Sequence, residues 1–107
     1  MDSGGSNHGL PGLSLGLGSN IPNPFRGATT IHFSLNGVAD NRSVRLRVFD
    51  VSGRLVATLH DGATSPGQHA ATWDGTRSDG RAAGNGIYFY RLESGTQSVA
   101  RRMILVR

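Results

Sequence analysis

The sequence contains no cysteine. That excludes disulfides, a thiolate nucleophile and thiolate metal sites, and it leaves the redox compartment undecided. Lysine is also absent, so all 11 basic side chains are arginines, set against 7 acids for a net charge of +4. A basic balance suits nucleic acid or an anionic surface. These arginines are scattered, however, without the clustering and interleaved aromatics that a nucleic-acid groove needs, so nucleic acid is not an expected partner. No stretch approaches the roughly 20 unbroken apolar residues of a membrane helix, and membrane insertion is not expected. The first residues lack the basic and apolar regions of a secretion signal, so an exported form would have lost its signal or carried it upstream.

What is present is glycine, 16 residues in a chain of 107, with a hydrophobic share of only 36%. That is the profile of short strands joined by tight turns around one thin core. Residues 1–20 read as a flexible Gly/Ser/Leu-rich arm, and residues 21–107 as the folded domain. Within the arm, Leu13, Leu15 and Leu17 alternate with Ser14, Gly16 and Gly18, the period of a strand. It is a candidate edge strand of its own chain, or a donor strand for a neighbouring copy, and head-to-tail donation would build a filament. The PNPF run at 22–25 fixes two backbone angles and offers Phe25 as an apolar plug.

Beyond it the period of two is regular. Ile31, Phe33 and Leu35 share one face, Val44, Leu46 and Val48 another, with Arg45, Arg47 and Phe49 on the opposite side. Asn36-Gly37, Asp50 to Gly53, Pro66-Gly67 and Ser94-Gly95 mark turns. Leu55 to Leu59, His69 to Trp73, Ile87 to Leu92 and Val99 to Val106 complete the strands, and no segment has a helical period. Spacing of this kind predicts an all-β, immunoglobulin-like sandwich of about seven antiparallel strands.

The order PNPF, RVFDVSGRLVATL, GQHAATWDG, GNGIYFYRLESG and RRMILVR resembles the carboxy-terminal sorting domain of type 9 secretion cargo. It is similar as well to the immunoglobulin-like domain of the flagellar hook-capping protein. The resemblance implies a sandwich at the end of a larger secreted protein, read by outer-membrane secretion machinery and linked to attachment at the bacterial cell surface. The family's terminal basic-plus-apolar strand falls on Arg101, Arg102, Met103, Ile104, Leu105, Val106 and Arg107, with Arg101 standing where lysine is common. Cargo is missing ahead of it, which suits either a domain cut from a larger protein or a short protein that is a subunit in its own right.

Other chemistry is thin, and no cofactor is expected. Asp74, Asp79 and Asn85 gather oxygen ligands in one loop, a weak calcium candidate without the every-second-residue spacing of an EF-hand. Asp-Gly and Asn-Gly pairs also form ordinary turns. His8, His32, His60 and His69 lack the spacing of a zinc site. Gly12 to Gly16 spells G-x-S-x-G, but in a Gly-rich arm rather than at a strand-to-helix elbow. Trp73, Tyr88, Phe89 and Tyr90 serve either as core or as a sugar-binding platform; Tyr88, Tyr90 and Leu92 fall on one face and Ile87, Phe89 and Arg91 on the other. The sequence points to a non-catalytic module.

Overall fold

The computed structural model describes residues 12–107. His8 and the first part of the arm lie outside the described residues. Seven strands follow in order: β1 (Ser14–Leu17), β2 (Thr29–Asn36), β3 (Arg42–Asp50), β4 (Leu55–Thr64), β5 (Gly67–Trp73), β6 (Gly86–Ser94) and β7 (Gln97–Leu105). Among the described residues there is no helix. One sheet has the order β1-β2-β5 and the other β4-β3-β6-β7, every pairing antiparallel. This is the immunoglobulin-like sandwich that the strand spacing predicts.

Alternation decides which face is core. Ile31, Phe33 and Leu35 on β2 meet Val44, Leu46 and Val48 on β3, Tyr88, Tyr90 and Leu92 on β6, and Met103 and Leu105 on β7. All are buried, and each contributes on the order of 1.5–3 kcal/mol relative to an exposed side chain. Trp73 closes one end, its ring 5.7 Å from Phe25 and 5.2 Å edge-on from Tyr88. The Tyr88 hydroxyl donates to the Gly84 carbonyl at 2.7 Å, the back-bond of an immunoglobulin tyrosine corner. Between β6 and β7 the hairpin loop is Gly95-Thr96, with Gly95 at φ +59, a conformation costly for residues with a Cβ.

Within the arm, Leu13 and Leu17 are buried and Ser14–Leu17 is a strand of the first sheet. In this chain it pairs with its own β2, from Ser14 opposite Asn36 to Leu17 opposite Phe33. Its glycines permit the approach: a side chain at Gly16 would run into Ser34 Oγ. The strand expected at Leu55 to Leu59 instead continues to Thr64, through two register shifts against β3. Bulges of this kind lengthen and twist an edge strand without ending it.

Candidate functional site

The terminal residues divide by direction. Met103 and Leu105 point inward and are fully buried. Arg101, also on the inward side, reaches the neighbouring sheet, where Nη1 donates to the Leu17 carbonyl at 3.2 Å and Nη2 to Ser19 Oγ at 2.9 Å. Gln97, four residues earlier on the same face, donates to the Leu13 carbonyl at 3.2 Å, and the Tyr90 hydroxyl to the Gly18 carbonyl at 2.7 Å. Three side chains thus hold β1 from across the sandwich. Arg107 folds back onto the 74–86 loop, donating to the carbonyls of Ala83 at 2.7 Å and Gly75 at 2.6 Å, while its amide donates to Asn85 Oδ1. Val106 is half-buried, and its amide donates to the Phe25 carbonyl at 2.9 Å. Among the described residues, Arg102 and Ile104 alone of the seven both face outward and spend no side-chain hydrogen bond on the fold.

Those two sit on the outer face of the four-stranded sheet, which is graded along the strands. The register places Leu55, Phe49, Phe89 and Arg102 in one cross-strand row, with Ile87 opposite Ile104 beside it. Leu55 is 48% exposed, Ile87 42%, Phe89 38% and Ile104 40%, so this end is an apolar patch in contact with water. The next row holds Arg47 and Arg91, whose guanidinium groups lie 5.3 and 4.4 Å from the Phe49 ring centroid. Beyond them Glu93 accepts a short hydrogen bond from Arg47, with Arg91 Nε at 3.2 Å and Arg45 Nη2 at 3.7 Å. Burial acts to raise the Glu93 carboxyl, but the Arg47 hydrogen bond and the charges of Arg47, Arg91 and Arg45 outweigh it and hold the group below its usual value.

The remaining candidates are occupied locally. Asp74 Oδ1 accepts from the Thr76 hydroxyl and amide, at 2.6 and 3.0 Å, and these bonds hold its carboxyl below the usual value. Asp79 caps the Arg81 amide at 3.0 Å and Asn85 the Arg107 amide. Each oxygen serves its own turn or the chain end; among the described residues no group of three or more His, Asp or Glu could hold a metal ion. His69 stacks on Phe33 at 5.4 Å, His60 bonds Thr64, and His32 faces solvent. The sugar platform does not form from Trp73, Tyr88 and Tyr90, which are buried; Phe89 is the exposed member. Ser14 lies on β1, far from any elbow.

Sequence reasoning missed the row of Leu55, Phe49 and Phe89. Its signal was present: Phe49 shares the polar side of β3 with Arg45 and Arg47, where an apolar ring has no core to enter. The three-point hold on β1 left no such signal, because its partners lie 72 to 84 residues apart.

Comparison with known proteins agrees with this architecture. The basal-body rod modification protein FlgD of Escherichia coli strain K12 is 36% identical over 76 residues, 68% of this chain and 33% of that protein. The same protein of Salmonella typhimurium is 39% identical over 61 residues, 54% of this chain and 26% of its own length. The chain therefore spans about a third or less of these relatives. Among solved structures, dimeric latent PorU from Porphyromonas gingivalis superposes with a TM-score of 0.73 at 28% identity, over 92% of this chain and 10% of that one. PorZ, a surface component of the type-IX secretion system of the same organism, shares the fold with a TM-score of 0.51 at 21% identity, over 97% of this chain and 13% of PorZ. Residues 18–98 match the FlgD Ig-like domain, and the chain belongs to that family.

Proposed function

We propose that this chain is a non-catalytic sorting and attachment module of a bacterial export system, secreted or held at the cell surface, and recognised by outer-membrane secretion machinery through its terminal strand. The observation that carries the reading is the division of labour on that strand. Met103 and Leu105 build the core and Arg101 and Arg107 tie down other segments, while Arg102 and Ile104 stay exposed beside Phe89 and Ile87. A basic and an apolar side chain on a rigid sheet make a recognition pair at little entropic cost. The likeness to PorU over one tenth of that chain supports a module carried within larger proteins. The carboxylates of Asp50 and Asp74 are engaged by turn amides and hydroxyls, which favours structure over acid–base chemistry.

The test is export of a foreign protein fused ahead of the domain in a host with type 9 secretion. Removing residues 101–107 would confuse folding with recognition, because it strips Met103 and Leu105 from the core. Arg102→Glu and Ile104→Asp change only the outward face. Loss of export by these variants, with unchanged melting of the purified domain, is the expected result, and normal export by both would reject the reading.

A further inference from the structure

The open edge of β7 carries more than its side chains. In the β6–β7 ladder Tyr88 pairs with Met103, Tyr90 with Arg101 and Leu92 with Val99. Ile104 points its backbone the other way: its amide donates to Asn23 Oδ1 at 3.0 Å, and its carbonyl accepts from the Phe25 amide at 3.0 Å. Backbone groups of a strand switch sides at every residue, so those of Arg102, Ala100 and Ser98 point the same way as those of Ile104. These three residues are exposed, and among the described residues no hydrogen bond reaches their outward amides and carbonyls. The chain already adds one segment to this edge, since Phe25 forms a parallel bridge with Leu105. That addition stops at Ile104, and the Gly95-Thr96 turn closes the other end. Among the described residues, three rungs remain open between them.

We propose that an extended acidic segment of a partner protein adds to β7 along Ser98 to Arg102, as a fifth strand of the larger sheet. This deepens the sorting reading and rests on it, because it names how the terminal strand is gripped. Charge selects the occupant. The outer face of the larger sheet presents Arg45, Arg47, Arg91 and Arg102 against Glu93 and against Asp61, which stands opposite Arg45 on β4, the edge away from β7, while the Asp50 carboxylate is taken up by Ser52 and Arg54. A carboxylate on the added strand beside Arg102 makes an unlike cross-strand pair, and the surrounding field favours its approach. On the inner side the added strand lies over Val99 and Leu15, both partly buried against the core, so its alternate residues are apolar. Pairing through the main chain with alternating side-chain contacts is the logic of strand addition. A second copy would instead bring a second net charge of +4 and its own arginines to the seam.

The probe is the synthetic peptide acetyl-Thr-Val-Glu-Val-Glu-Val-Thr-amide, titrated into the intact chain and followed by backbone NMR, with the same peptide carrying Lys for Glu as control. Saturable binding of the acidic peptide is expected, with amide exchange at Ser98, Ala100 and Arg102 slowed by about tenfold or more and the β4 edge unchanged. Ala100→Pro removes the central outward donor and leaves the β6–β7 ladder intact, so the variant should fold and lose the peptide. Arg102→Glu should lose it as well, which keeps the test decisive if the proline variant misfolds. No saturation at millimolar peptide, equal binding of the Lys peptide, protection elsewhere, or light scattering showing two copies joined at this edge would each overturn the proposal. Export that fails in Arg102→Glu and Ile104→Asp yet persists in a folded Ala100→Pro would leave sorting standing and overturn strand addition.

Discussion

β1 and β7 lie along the same side of the sandwich and treat their unpaired backbone in opposite ways. β1 is four residues long, and the carbonyls of Leu13, just before it, and of Leu17, its last residue, are capped by Gln97 and Arg101 from β7. β7 is nine residues long, and among the described residues its cover stops at Ile104, which Asn23 and Phe25 of the PNPF segment hold. Capping by side chains is one way in which proteins blunt a sheet edge. The difference shows that two adjacent arginines have unlike duties: Arg101 closes one edge, and Arg102 stands beside the one left open.

The comparison breaks most severely at the core beneath β7. Leu105→Ala removes a fully buried side chain and should cost about 2–5 kcal/mol in urea or thermal unfolding. A smaller loss would mean that the strand contributes little to the core. The two arginines separate next. Arg101→Ala leaves the Leu17 carbonyl without its donor and should cost about 1 kcal/mol, with faster amide exchange at Gly18, whose N–H bonds His32. Arg102→Ala should stay within about 0.5 kcal/mol of the parent, and the reverse ranking would contradict the division of duties. The smallest effect is set by pH. The Glu93 carboxyl is depressed in the fold, so its stabilisation is present above the ordinary unfolded value of 4.5 and fades as pH falls through the folded value. Melting temperatures across the acid range should therefore drop less steeply in Glu93→Gln than in the parent.

Much of the fold was legible because alternation is a local signal. Val44, Leu46 and Val48 declare one face, and Tyr88, Tyr90 and Leu92 another, whatever lies across from them. The site was legible only in part. The sequence marked the Arg101 to Arg107 segment as one unit, yet strand geometry deals its members alternately to core and solvent. The turns around the calcium candidates are local as well: Asp74 and Asp79 sit two residues before amides that their carboxylates accept from. The burial of Leu13 and Leu17 was less legible, because three leucines among glycines show a weak pattern until a neighbouring sheet covers them.

Sequence by itself determined the class of fold, the strands and their inward faces, because a period of two and the turn residues between strands act over only a few positions. Tertiary structure decided which edges are sealed. Tyr90 meets Gly18 across 72 positions, Arg101 meets Leu17 across 84, and Asn23 meets Ile104 across 81. No local pattern encodes such pairs, since they form only after both sheets are stacked and their edges brought into register.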